Sequence, residues 1–176
     1  MRQSFYRAAM LGVALLLPFA AGAATSAPVG TGVTTMNMVS QLPAFVKKLD
    51  TLRGKALSTT EKAGVTDVVT QGSSTLNDIQ AKFISGVAKA TGVDGGTLGA
   101  ILPPATRAVA GTDLVNSIQD KLGKRLGFLQ SNGVKAANAL RNNSLDGLKS
   151  SLAEGISRKT GVDPQMITGL LPVLGF

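Results

Sequence analysis

Acidic and basic residues that recur at one fixed spacing are the first candidates for chemistry in this chain. Asp94 and Asp163 lie 69 residues apart. Four cations recur at the same spacing, as the pairs Lys55 with Lys124 and Lys89 with Arg158. A carboxylate can act as a general acid or base, and a recurring cation can contact an anion. We treat the four cations as candidate anion contacts; the alternative is that they are solvated helix ends, where cations favour the helix dipole.

Acid–base, metal and thiol chemistry are all disfavoured by the composition. Histidine and cysteine are absent from the 176 residues, which removes the usual metal ligands, the usual general base near neutral pH and the thiol nucleophile. No two Asp or Glu residues lie three or four positions apart on a predicted helix face. One Tyr and no Trp leave little aromatic surface for base stacking. We therefore expect no enzyme activity, no cofactor, no metal and no sequence-specific nucleic-acid binding.

The chain contains an internal repeat, and its elements must position these residues. Residues 45–107 align with residues 114–176 without a gap, with 14 identities in 63 positions. The block Thr-Gly-Val-Asp, followed eight residues later by Leu-Pro, occurs in both halves. This pattern predicts two homologous units, residues 38–107 and 108–176, packed as one domain because each alone is too small for a generous core.

Apolar residues at spacings of three and four predict helices in each unit. The first stripe consists of Val39, Leu42, Phe45, Val46, Leu49 and Leu52. A short second helix is expected after Gly64 or Gly133, and a long amphipathic third helix begins near Thr75 or Ser144, which could cap it. With a short fourth helix, the prediction is an all-α bundle of two tandem four-helix units.

A tight corner joins the third and fourth helices of each unit. Gly92 or Gly161 is suited to the left-handed conformation just beyond a helix end. Asp94 or Asp163 then reads as the N-cap of the short fourth helix, with Pro164 at its first position in the second unit. Leu102-Pro103 and Leu171-Pro172 are expected to end that helix. The two Asp residues are therefore predicted to be structural rather than catalytic.

The segment from Glu154 to Pro172, EGISRKTGVDPQMITGLLP, resembles the helical domain of YidB-like bacterial proteins of uncharacterised function. The shared features are an amphipathic helix, a Thr-Gly-Val or Thr-Gly-Leu corner, a capped short helix and a terminal Leu-Leu-Pro. The resemblance covers this segment and its counterpart in the first unit. It implies a helical fold there and brings no catalytic residues.

Residues 1–24 have the three parts of a secretory signal peptide. Arg2 and Arg7 precede an apolar run, and small residues follow it at positions 21–24. Residues 25–37 are small and polar without periodicity, which predicts a flexible leader. No transmembrane span is expected in the mature chain, which we predict to be exported and to be periplasmic or extracellular.

The remaining chain is basic, with 16 Lys and Arg against 10 Asp and Glu once Arg2 and Arg7 are set aside. Anionic envelope polymers and lipid headgroups are partners that such a charge could serve. We predict a non-enzymatic helical binding or assembly protein of the bacterial envelope or extracellular space, with homo-oligomers among its expected partners. The alternative is a membrane-active, bacteriocin-like protein whose amphipathic helices open onto anionic lipid.

Overall fold

The computed structural model describes residues 38–176, and this part of the chain is helical with no strand. The all-α prediction is confirmed, whereas the predicted signal peptide and leader lie outside the described residues. Two 3-10 turns, Met38–Gln41 and Leu171–Leu174, flank the helices. The helices are α1 Leu42–Arg53, α2 Thr59–Thr91, α3 Gly95–Ile101, α4 Gly111–Leu122, α5 Phe128–Thr160 and α6 Pro164–Leu170.

The prediction of four helices in each half is wrong, because the expected second and third helices form one continuous helix. Both α2 and α5 run for 33 residues. The hydroxyl of Thr75 donates to the Gln71 carbonyl at 3.1 Å, and that of Ser144 donates to the Leu140 carbonyl at 2.9 Å. These hydroxyls bond back to the preceding turn instead of capping a new helix, so the backbone continues through both positions.

The start of α2 has a reciprocal capping arrangement. The Ser58 hydroxyl accepts a hydrogen bond from the Glu61 amide, and the Glu61 carboxylate accepts one from the Ser58 amide at 2.7 Å. Arg53 forms an ion pair with Glu61 at 2.6 Å. The hydrogen bonds from Ser58, followed by the contact with Arg53, lower the pKa of the Glu61 carboxyl. The helix therefore begins at residue 59, five residues before the glycine at which the sequence predicted a start.

The long helices α2 and α5 pack against each other in antiparallel orientation. Gly64 near the start of α2 faces Lys159 near the end of α5, and Gly133 near the start of α5 faces Ala90 near the end of α2. A Cβ built on Gly133 would lie 2.6 Å from the Ala90 Cβ. Glycine is required at this position because any side chain would occupy the space of the facing helix.

Two buried apolar clusters flank this helix pair, and each takes residues from both halves of the chain. The first core joins α1 and α6 to the first part of α2 and the second part of α5. The second core joins α3 and α4 to the other parts of the long helices. The first core is centred on Phe45, Leu49, Val65, Val69, Leu145, Leu152, Ile156 and Ile167, and the second on Phe83, Val87, Leu98, Leu114, Ile118 and Val134. Neither half of the chain encloses a core by itself.

Candidate functional site

The corner residues lie at the ends of the long helices and make local contacts. Gly92 and Gly161 follow α2 and α5 with φ of +73° and +72°. The Asp94 carboxylate accepts a hydrogen bond from the Thr97 amide at 2.9 Å, and hydrogen bonds from Thr97 lower the pKa of this carboxyl. Asp163 accepts from the Gln165 amide at 2.7 Å. These contacts belong to helix caps.

The three corner prolines differ in what they do. Pro164 occupies the first turn of α6, and Pro103 comes directly after the C-cap residue of α3. Pro172 likewise follows Leu171, the C-cap residue of α6, so this helix ends where it was expected to, and the chain continues into the 3-10 turn Leu171–Leu174. A proline is tolerated at the start of such a turn, where its missing amide hydrogen has no partner to bond.

We expect Gly161→Val to destabilise the protein more than Lys124→Ala. Gly161 has a positive φ with open space around it, so the cost of a side chain is backbone strain of about 1–2 kcal/mol or more. Lys124 is exposed, and truncation of such a side chain usually changes stability by less than about 0.5 kcal/mol. Thermal melts of the two variants compare the effects. A larger loss for the lysine variant would contradict the assignment of the corner.

The four candidate anion contacts are not brought together in one site. Lys55 and Arg158 lie at one end of the helix pair, near the start of α2 and the end of α5. Lys89 and Lys124 lie at the opposite end. All four are exposed, and within residues 38–176 none has a carboxylate oxygen within 4.0 Å of its charged nitrogens. The structure therefore presents two separate basic ends.

A groove between α2 and α5 is a candidate site that no pattern in the sequence predicted. Its volume is about 650 Å³. The walls include apolar side chains of both helices, Ile79, Phe83, Leu140 and Leu148. Charged and hydroxyl groups stand beside them, contributed by Asp78, Lys82, Arg141, Thr75, Ser144 and Ser151. Mixed apolar and polar walls are typical of small-molecule sites.

Arg141 is a charged residue of this groove that is almost completely buried. Its side chain is 2% exposed, and its guanidinium carbon lies 4.4 Å from the centre of the Phe83 ring. Nη2 donates to the Arg107 carbonyl at 3.0 Å and to the Asn142 side-chain oxygen at 3.2 Å. Nη1 is buried without a hydrogen-bond partner. Desolvation lowers the pKa of the guanidinium, which nevertheless stays charged because arginine titrates so far above neutrality.

Arg141 forms no ion pair within the described part of the chain. Within residues 38–176, no carboxylate oxygen comes within 4.0 Å of its nitrogens. Burying a cation costs on the order of several kcal/mol because the charge loses its hydration. Without a nearby anion, little electrostatic attraction offsets this cost. The stacking on Phe83 and the two carbonyl-type acceptors offset part of the cost. With Lys82 and Asp78 also in its lining, the groove carries one net positive charge, and Nη1 of Arg141 lacks a hydrogen-bond partner.

A signal in the sequence could have found this arginine. Arg141 falls on the same helical stripe as Leu145, Leu148, Leu152 and Ile156, at the spacings of three and four that face a core. A charge on such a stripe is unusual. The repeat also places Gly72 at the equivalent position of the first half, so the arginine is specific to the second half.

Asn138 and Asn142 hold the connection between α3 and α4 against the same helix. The Asn138 amide donates to the Val109 carbonyl at 2.7 Å, and the Asn142 amide reaches the same oxygen at 3.4 Å. Together with the bond from Arg141 to Arg107, these contacts satisfy carbonyls of a segment that has no helix of its own. They fix one side of the guanidinium and leave Nη1 as its unused donor.

Family models, curated proteins and solved structures give no match to this chain. Its site is therefore interpreted from its own residues. Across the described part of the chain, no group of three or more His, Cys, Asp or Glu side chains is placed to hold a metal ion. Within the same residues, none of the helices combines the length and the apolar composition needed to cross a bilayer.

Proposed function

We propose that this chain is an exported, non-enzymatic binding protein of the bacterial envelope or extracellular space, and that the groove between α2 and α5 holds a small anion with an apolar portion. The observation that carries the proposal is the buried, unneutralised guanidinium of Arg141 beside apolar walls. A bound carboxylate or sulfate would supply the missing negative charge, and charge-assisted hydrogen bonds of this kind are among the stronger ones in proteins.

The organisation of the helices supports a preformed groove. The helices of the second half have the lengths of those in the first, 12, 33 and 7 residues, and each begins 69 residues after its counterpart. Contacts between α2 and α5 occur in equivalent pairs. Gly64 faces Lys159, and the residues at the equivalent positions of the other half, Gly133 and Ala90, also face each other. We interpret this as two duplicated units related by a pseudo-two-fold axis, with the groove near that axis.

The same arrangement bears on the rival interpretations. A membrane-active protein that opens its helices would have to separate both cores, each of which is shared between the two halves. An assembly protein or homo-oligomer would use outer surfaces, which the groove proposal leaves free. The basic composition suits an envelope rich in anionic polymers and lipids.

The proposal is tested by isothermal titration calorimetry, in which decanoate, a straight-chain carboxylate, is titrated into the chain without residues 1–24. The measured quantity is the affinity for decanoate. The variant Arg141→Met keeps an apolar side chain of similar length but removes the charge. We expect it to weaken decanoate binding by on the order of tenfold or more, the loss that follows from one charge-assisted hydrogen bond. Lys135→Met, which removes an exposed cation from the same helix, is the matched control and should bind as the unaltered chain does.

A neutral ligand of the same length, decanol, separates the contribution of charge from that of apolar burial. It should bind more weakly than decanoate to the unaltered chain and equally to both variants. Circular dichroism verifies that each variant is as helical as the parent. Equal decanoate affinity in the Arg141→Met and Lys135→Met variants, or no decanoate binding by the parent, would reject the groove as the anion site.

A further inference from the structure

Phe128 and Leu129 form an exposed apolar pair at one end of the bundle. They are the first two residues of α5, and 79% and 82% of their surfaces are exposed. Neither belongs to the first or second core. The pair is not needed to begin a helix, since the equivalent positions at the start of α2 are Thr59 and Thr60. An adjacent exposed Phe and Leu with no internal role is the kind of feature that marks an interaction surface.

Cations surround this apolar pair. Lys124 and Arg125 lie just before it in the turn between α4 and α5, and both are exposed. Lys89 and Lys121 lie at the ends of α2 and α4 on the same side of the bundle; the Lys121 ammonium also donates to the Ile101 carbonyl at 2.7 Å. Asp94 and Asp120 are the acids near this end. Within residues 38–176 none of the four cations has a carboxylate oxygen within 4.0 Å, so their charge is available to a partner.

The opposite end of the bundle provides an internal comparison. It also carries exposed cations, among them Lys55, Lys62 and Arg158. There, however, the two threonines replace the apolar pair, and Arg53 is already paired with Glu61 at 2.6 Å. Both ends therefore carry exposed cations at the start of a 33-residue helix, and they differ at its first two positions, which are two large apolar residues in α5 and two threonines in α2.

We propose that the end carrying Phe128 and Leu129 docks the folded bundle on an anionic lipid surface. The two apolar side chains enter the boundary between headgroups and acyl chains, while Lys124 and Arg125 contact the phosphates of the headgroups. Surface-bound proteins combine apolar insertion with electrostatic attraction to anionic lipid in this way. Charge complementarity selects lipid as the occupant, because a second copy of this basic end would bring like charges together. The docking leaves both cores closed and uses none of the groove residues.

The test is co-sedimentation of the chain without residues 1–24 with vesicles of phosphatidylcholine containing about one third phosphatidylglycerol. The shortened chain keeps every residue of the two cores described above, and every variant is compared in the same background. The double variant Phe128→Thr/Leu129→Thr reproduces the residues of the opposite end. We expect it to lower the partition coefficient by on the order of tenfold or more, as the loss of two inserted apolar side chains implies.

Two further variants test whether the loss of any exposed apolar side chain would lower vesicle binding. Met166→Thr removes another apolar side chain, one that is 54% exposed in α6, outside both the groove and the end that carries Phe128 and Leu129, and should bind vesicles as the parent does. Adding Thr59→Phe/Thr60→Leu to the double variant moves the apolar pair to the opposite basic end and should restore most of the binding. Vesicles of phosphatidylcholine alone should bind the parent weakly, and added salt should weaken binding to the anionic vesicles.

Three results would overturn the proposal. The first is equal binding by the parent and the Phe128→Thr/Leu129→Thr variant. The second is no binding of the parent to the anionic vesicles. The third is self-association of the parent that the double variant abolishes, in the absence of vesicle binding, which would assign the pair to an interface between copies of the chain. Decanoate titrations contain no vesicles, so failure of the docking proposal is distinguishable from failure of the groove proposal.

Discussion

Phe45→Ala is expected to lower the free energy of unfolding by about 3–5 kcal/mol, the usual cost of truncating a fully buried phenylalanine. Phe45 is 0% exposed and lies in the first core, between α1 and the helices of the other half of the chain. The loss combines the transfer of the ring from a dry interior with the cavity that remains. Because this core takes residues from both halves, the whole unfolding transition should shift to lower denaturant, and not only the melting of α1.

The matched control is Leu52→Ala, on the same helix. Leu52 is 42% exposed, so a large part of the side chain that is removed already faces water. We expect a loss below about 1 kcal/mol, since substitutions on the surface usually have small effects. Urea titrations of the two variants, followed by circular dichroism, give the comparison. Similar losses for the two would mean that α1 does not bury Phe45 in a shared core.

The second large effect is expected for Gly133→Val. A Cβ at this position would lie 2.6 Å from the Ala90 Cβ and 3.5 Å from the Ala90 Cα. The obstacle is attached directly to the backbone of α2 and cannot rotate away, so the two long helices would have to separate. Overpacking of this kind costs about 1–3 kcal/mol and occasionally more. The cost should exceed the small gain in helix propensity that comes from replacing glycine.

Gly147→Val is the control for this substitution. Gly147 also lies within α5, but a Cβ there would have nothing within 4 Å. The variant should therefore be close to the parent in stability, because the cost of a helical glycine, about 0.5–1 kcal/mol relative to alanine, is partly offset by the lower helix propensity of valine. The two urea midpoints are compared directly. A stability loss of equal size at both glycines would contradict close packing of α2 on α5 as the reason for Gly133.

Local patterns in the sequence predicted the class of structure well because helices bury one face at regular spacing. The stripe with Leu145, Leu148, Leu152 and Ile156 is buried in the first core. Local patterns were less able to locate helix ends. Thr75 and Ser144 have side chains that can cap a new helix or bond back to the preceding turn, and only the packing of two 33-residue helices along their length decides in favour of the second.

The sequence also could not predict how deeply each residue of one apolar stripe is buried. Val39, Leu42, Phe45, Val46, Leu49 and Leu52 share one predicted helix face. In the structure Phe45 and Leu49 are fully buried, whereas Val39 and Leu52 are 37% and 42% exposed. Which of them meet the core depends on where α6 and the 3-10 turns come to lie, and these elements are distant in sequence.

The candidate site was also only partly predictable from the sequence. The recurring cations could be recognised from the sequence, but their separation into two ends depends on the antiparallel order of α2 and α5. The groove exists only because residues of the two halves face each other, with Arg141 stacked on Phe83 across the helix pair. The exposure of Phe128 and Leu129 at the start of α5 is likewise decided only by the tertiary structure.

Composition and short-range spacing by themselves determined that this chain is helical, that it contains residues repeated 69 positions apart, and that it has no histidine or cysteine for the commonest catalytic and metal-binding roles. The helices follow from the 3.6-residue period of their apolar residues, whereas the repeat and the missing residue types can be read directly along the chain. Tertiary structure alone decided that the two cores are each shared between the halves, that glycine stands where the long helices touch, and that one arginine is buried without an anion. Such features depend on contacts between residues far apart in the chain, and a local pattern carries no information on those distances.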